Sequence, residues 1–172
     1  ELESGKMIDK VKTGIPIIDK CTNGIAPREL VTIGAKSGVG KSALAVRIAI
    51  NMYKADKKIL IVSREMSKKQ VAERILLSHS GISKEQYENR DFNDEQWVRI
   101  VETMEAFSGE GIIIDDKIST IQEIKQAVRR TKPDVLIVDY VQLLTPSNPR
   151  DSRERQVAEI SRELKKMTSD FD

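Results

Sequence analysis

Eight residues constrain this chain more than any others: Ala35-Lys36-Ser37-Gly38-Val39-Gly40-Lys41-Ser42. They stand between the apolar run Leu30-Val31-Thr32-Ile33 and a helix-like segment that opens Ala43-Leu44-Ala45-Val46. A strand, a glycine-bearing turn and a helix that begins Lys-Ser make a phosphate-binding loop. The glycines let the backbone wrap closely enough to aim its N–H groups at phosphate oxygens, Lys41 adds a point charge, and Ser42 offers a hydroxyl to Mg²⁺. Ser37, Gly38, Val39, Gly40, Lys41 and Ser42 are therefore the nucleotide-binding residues to test. The ligand class is a nucleoside triphosphate, ATP or GTP, with Mg²⁺. The usual pattern has Gly at its first position, where this chain has Ala35, and Gly34 one residue earlier eases the turn.

Four short apolar runs recur along the chain: Leu30 to Ile33, Ile59 to Ser63, Gly111 to Asp115 and Val135 to Asp139. Continuous runs, as opposed to alternating ones, predict strands buried on both faces. Helical patterns separate them, so the fold expected is α/β, with a mainly parallel sheet and right-handed crossovers that put helices on both faces.

Helix starts are written into the polar residues. Ser67 with Gln70, Asn93 with Gln96, and Ser119 with Gln122 have the spacing of a capping box, which predicts helices beginning near 68, 94 and 120. In the second of these, Trp97, Ile100, Val101, Met104 and Phe107 share one face and are expected in the core. Residues 82–90 read as a linker turn with one helical turn at most, and Pro133 closes the helix that starts at Thr120. A last amphipathic helix carries Val157, Ile160, Leu164 and Met167 on one face. In a wound α/β domain such a helix leads into another strand, so the C-terminal part of the domain is expected to be missing. Residues 1–12 read as a linker, and residues 13–172 as the N-terminal portion of a single domain.

Composition narrows the function classes. With Lys and Arg at 29 against Asp and Glu at 27, the net charge of +2 announces no broad basic surface, so any nucleic-acid contact must be local. The one cysteine, Cys21, cannot form an internal disulfide, and without a signal peptide or long apolar span the expected location is cytoplasmic, with no membrane partner. The lone His79 has no Cys/His cluster around it and reads as a helix-end or surface residue.

In open α/β sheets, ligands sit at the carboxyl ends of the strands, and each run here ends on a polar group. Asp139 has the form of the acid that holds Mg²⁺ opposite Ser42, directly or through water, unless it only caps a strand end. Glu65, after Ser63-Arg64, is placed to orient or deprotonate an attacking water, the alternative being an ion pair with Lys36 or Arg64. Asp115 and Asp116 can do no more than shape the turn before Ser119.

Together these residues resemble the RecA-like ATPase domain of DnaB-type replicative helicases, bacterial or phage. The resemblance is carried by Ala35 to Ser42, Ser63-Arg64-Glu65-Met66-Ser67-Lys68, Asp115-Asp116 with 119–130, Asp139-Tyr140-Val141-Gln142-Leu143-Leu144, and 155–164. It implies that Lys41 and Ser42 bind ATP and Mg²⁺, that Glu65 is the catalytic carboxylate and that Asp139 is the metal-binding acid. It further implies a homo-oligomeric ring, usually a hexamer, which moves on single-stranded DNA and meets a helicase loader and primase. Arg64 departs from the apolar residue usual in that family. Arg150, Arg153 and Arg155 are DNA-phosphate candidates, although a solvated loop explains them equally well. The competing readings are another RecA-like ATPase of recombinase type, and a non-catalytic helicase-derived module that binds a loader or primase.

Overall fold

The computed structural model describes residues 10–36, 38–146 and 148–170. Three parallel strands form its centre: β1 (Ile59–Ser63), β2 (Ile112–Asp115) and β3 (Val135–Asp139), in the order β2-β1-β3. The register places Ser63 beside Asp139 and Val62 beside Asp115, so the three carboxyl ends lie level. Around the sheet run α1 (Pro16–Thr22), α2 (Lys41–Lys54), α3 (Lys68–Ser80), α4 (Lys84–Asn89), α5 (Asp94–Ala106), α6 (Ile121–Thr131) and α7 (Arg153–Asp170).

Alternation along β1 divides the core in two. Leu60 and Val62 face Ile124 and Val128 of α6 and Ile160, Leu164 and Met167 of α7, whereas Ile59 and Ile61 face Val46, Ile50 and Met52 of α2 and Val71 and Ile75 of α3. Helices thus cover both faces, as the parallel arrangement requires. Each fully buried Ile, Leu or Met contributes roughly 1.5–3 kcal/mol.

The strand expected at Leu30 to Ile33 does not form. The run pairs with no strand among the described residues, and Leu30, Val31 and Ile33 are 40%, 50% and 41% exposed. An apolar sequence expresses a need for burial but does not by itself make a strand, and among the described residues no ladder joins the run to the open edge of β3. The segment is held instead from its start: Lys165 Nζ and Thr168 Oγ1 of α7 both donate to the Arg28 carbonyl, at 2.6 and 2.9 Å.

Capping chemistry set the helix starts. Ser67–Gln70 and Asn93–Gln96 form complete reciprocal boxes on α3 and α5. On α6 the box is one residue later than expected, at Thr120–Glu123, because the Glu123 carboxylate reaches the N–H of both Ser119 (2.7 Å) and Thr120 (3.0 Å). Those bonds hold the Glu123 carboxyl below its usual range. A fourth box, Ser83–Gln86, turns the presumed linker into the short helix α4.

The apolar stripe of α5 is not core. Only Ile100 of that stripe is buried; Trp97, Val101 and Met104 are 51%, 47% and 60% exposed, and Phe107 is half-buried against Tyr53. Trp97 rests edge-on against Phe92, ring centres 5.2 Å apart. α5 packs on the outer side of α3, a second layer out from the sheet, so only one side of the helix is covered.

Residues before the phosphate loop are clasped to α2. Asp19 accepts from the Thr13 N–H and hydroxyl and from the Gly14 N–H at 2.8–2.9 Å, while Asn51 of α2 donates to the Thr13 carbonyl at 3.0 Å. Burial pushes the Asp19 carboxyl up, but the Thr13 and Gly14 bonds and the nearby Lys12 charge outweigh it and leave the pKa lowered. Val11 pairs with Ile25 in an isolated antiparallel bridge, and residues 1–9 lie outside the described part. Gly14 has φ of +71°, and a Cβ there would sit 2.5 Å from Asn51 Nδ2. The expected result for Gly14→Ala is therefore a loss of about 2–4 kcal/mol, the sum of a left-handed backbone penalty and overpacking against Asn51. Urea unfolding should show it as a lower midpoint at unchanged slope.

Candidate functional site

The phosphate loop is built by two glycines. Gly38 and Gly40 have φ of +80° and +103°, a region costly for side-chain-bearing residues, and no neighbouring atom lies where their Cβ would be. The cradle is thus open on the side a ligand approaches. Val39 between them is 70% exposed, and Ser37 lies outside the described residues.

Gly40 is also the N-cap of α2, and here the loop differs from the starts of α3 to α6. α3, α4, α5 and α6 each satisfy their first-turn N–H groups with a side-chain box, whereas among the described residues no side chain caps α2. A helix start left uncapped, with glycine ahead of it, keeps its N–H groups for an anion.

Lys41 is the first residue of α2. Its ammonium donates to the carbonyls of Ala35 at 2.9 Å and Lys36 at 3.2 Å, folding the loop back over its own side chain. One residue on, Ser42 faces a small cavity at the carboxyl ends of β1 and β3. Its lining includes Ser42 from α2, Ser63 and Ile61 from β1, Met66, and Ile137 and Asp139 from β3. Ser42 and Asp139, separated by 97 positions of sequence, thereby line one cavity.

Glu65 leaves the sheet just above this cavity. It is exposed, and among the described residues it pairs with neither Lys36 nor Arg64. The turn that carries it is pinned from below: Ser63 Oγ donates to the Met66 carbonyl at 2.7 Å and accepts the Met66 N–H at 3.2 Å. The Arg64 N–H donates to the Asp139 carbonyl at 2.7 Å, joining the turn to the end of β3.

The neighbouring acids have structural duties. Asp115 Oδ1 accepts the N–H groups of Lys117 and Ile118, which shapes the turn before α6 as expected. Asp116 does more than the sequence indicates, for its Oδ2 accepts the Lys68 N–H at 2.7 Å and so caps the start of α3 from another segment. No spacing rule could reveal a bond that spans 48 positions.

The three arginines separate. Arg150 and Arg155 are exposed, while Arg153 donates to the Gln142 carbonyl and to Gln156 Oε1 and thereby ties the loop after β3 to α7. His79 lies edge-on to Phe107, its pKa lowered by burial and by Lys54 and Arg47. Among the described residues no helix is long and apolar enough to cross a membrane, and no group of three or more His, Cys, Asp and Glu could hold a metal.

A family model for the DnaB-like helicase C-terminal domain matches residues 10–172. The chain belongs to that family. Among curated relatives, this DnaB-like chain is 32% identical over 171 residues to the replicative DNA helicase DnaC of Bacillus subtilis, and 31% identical over 172 residues to the replicative DNA helicase DnaB of Geobacillus stearothermophilus. It is covered over 95% and 96% of its length in those comparisons and spans 38% of each relative. Among solved structures, the ATPase domain of G40P superposes with a TM-score of 0.88 at 33% identity, covering 98% of this chain and 63% of that one. A DnaB-like replicative helicase, described together with its interactions with primase, superposes equally well, with 42% of its chain covered. The DnaB-like domain therefore has the RecA-type α/β fold of its relatives, with the loop, Glu65 and Asp139 at the same end of the sheet.

Proposed function

We propose that this chain is the nucleotide-binding portion of the ATP-driven motor of a replicative DNA helicase, a protein that unwinds duplex DNA by moving along a single strand. The observation that carries the reading is the meeting of Ser42 and Asp139 at one opening beneath an uncapped, glycine-led helix start, in a chain of the DnaB-like family.

The chemistry follows from what each group can do. Backbone N–H groups of Gly38, Val39 and Gly40, with the start of α2, cradle the phosphates. Ser37 belongs to the same cradle by its place in the motif. Lys41 exchanges its two carbonyl partners for phosphate oxygens, so that its charged donor meets a charged acceptor in place of a neutral one. Mg²⁺, when bound, neutralises charge between the phosphates. Ser42 and Asp139 would hold it, one hydroxyl and one carboxylate being the usual protein share of a site completed by phosphates and water. Glu65 orients the attacking water or takes its proton.

Residues 13–172 would supply the N-terminal portion of the ATPase domain. Arg150 and Arg155, exposed and without a side-chain partner among the described residues, are the better DNA-phosphate contacts, since the Arg153 guanidinium bonds Gln156 and Gln142. The assembled helicase would be a homo-oligomeric ring in the cytoplasm, with a loader and primase as further partners, the latter favoured by the primase-interacting neighbour.

Steady-state ATP hydrolysis by the full-length protein, with and without single-stranded DNA, tests the proposal. The expected result is Mg²⁺-dependent hydrolysis that rises several-fold with DNA. Hydrolysis indifferent to DNA would favour another RecA-like ATPase of recombinase type. Binding of Mg·ATP without any turnover would favour a loader- or primase-binding module.

A further inference from the structure

Arg64 is the side chain near the site that the chemistry above does not use. Its direction sets it apart from its neighbours: the cavity below the phosphate loop is lined by Ser63, Met66 and Asp139 but not by Arg64. The guanidinium runs the opposite way, toward the end of β2, where Nη1 donates to the Asp116 carbonyl at 3.2 Å. Asp116 in turn accepts the Lys68 N–H, so the bond connects Arg64 to the residue that caps α3.

The main chain of the same residue completes the connection, because the Arg64 N–H donates to the Asp139 carbonyl at 2.7 Å. One residue therefore joins the ends of all three strands. Glu65 is the next residue, and it is exposed, with no tether of its own among the described residues.

This arrangement is a poor way to gain stability. Among the described residues Arg64 Nε is buried with no acceptor, and a buried donor left unpaired is costly. An apolar side chain of similar length would fill the space without that penalty. A costly guanidinium at this place points to work other than holding the fold.

We infer that Arg64 is a positioning residue, which anchors the turn on β2 and β3 and so fixes where the Glu65 carboxylate stands relative to Asp139. The inference rests on the catalytic reading of Glu65. Small displacements of a reacting group have large rate effects, since geometry enters the barrier directly.

The test is a mutant cycle in the full-length protein, measuring ATP turnover, KM for ATP and the thermal midpoint. Arg64→Leu is expected to lower kcat roughly 10- to 100-fold with KM unchanged and the midpoint held or raised. Arg64→Lys, which can still reach a carbonyl but lacks the rigid fork, is expected to fall between. In a Glu65→Gln background Arg64→Leu should cost nothing further, because the group it positions is already gone. Wild-type kcat in Arg64→Leu, a loss that tracks a lowered midpoint, or a full additional loss in the Glu65→Gln background each overturns the proposal. If Glu65→Gln itself turns over ATP like the wild type, the catalytic reading of Glu65 fails and the role of Arg64 falls with it. Loss in Glu65→Gln with wild-type Arg64→Leu removes the positioning role alone.

Discussion

Glu65→Gln should reduce ATP turnover by roughly 10²–10⁴-fold, the range a positioned general base contributes, while leaving Mg·ATP affinity near that of the wild type. Gln keeps the length and hydrogen-bonding capacity of the side chain but cannot accept the water's proton. The backbone frame is insensitive to the change: the turn is pinned by Ser63 with Met66 and by Arg64 with Asp139, and none of those bonds uses the Glu65 carboxylate. Folding is thus expected to be unaffected, and the loss should reside in kcat. Single-turnover hydrolysis beside equilibrium binding of a fluorescent ATP analogue separates the two. Near-normal turnover would move the base elsewhere, and loss of binding would mean that Glu65 supports the loop and not the water.

Lys41→Ala is expected to act at the earlier step. The wild-type ammonium spans the loop through the carbonyls of Ala35 and Lys36, at 2.9 and 3.2 Å. Its removal takes away both the tether that shapes the loop and the charge that meets the phosphates. Charge-assisted hydrogen bonds are worth about 1.5–3 kcal/mol each, so Mg·ATP affinity should fall by roughly 10- to 100-fold or more. Hydrolysis at ordinary ATP concentrations should then be undetectable. Fluorescent nucleotide titration of the two proteins checks this directly, and equal affinities would remove Lys41 from the phosphate site. The two substitutions separate the roles: one protein loses turnover and keeps binding, the other loses binding affinity first.

Much of this was legible in the sequence, for reasons that are local. Capping boxes are exchanges within four residues, so Ser67–Gln70 and Asn93–Gln96 located α3 and α5 to the residue. The error at α6 was of the same local kind, a choice between Gln122 and Glu123 as the returning side chain, decided by a charged carboxylate that accepts from two backbone N–H groups. Strands β1 and β3 ran where their β-branched runs stand, since β1 is buried and β3 pairs against it along its length. The phosphate loop was legible because glycine is the residue favoured at positive φ, which Gly38 and Gly40 both adopt.

Where local information stops, the readings diverge. The runs at Leu30 to Ile33 and along α5 are as apolar as the core, yet both lie open, because apolarity states a preference and only the packing of other elements fulfils it. Arg64 and Asp116 were silent in the sequence, for their bonds join segments 52 positions apart. By itself the sequence determined the chemistry available: a loop for phosphates, a lysine, a hydroxyl and two carboxylates, each at the end of a predictable element. The tertiary structure decided which of them meet. Parallel pairing levels the ends of β1 with those of β3 and β2, so Asp139 comes to Ser42 and Arg64 comes to Asp116. That register is set by the burial of β1 against two helical layers, an interaction that no window of sequence contains.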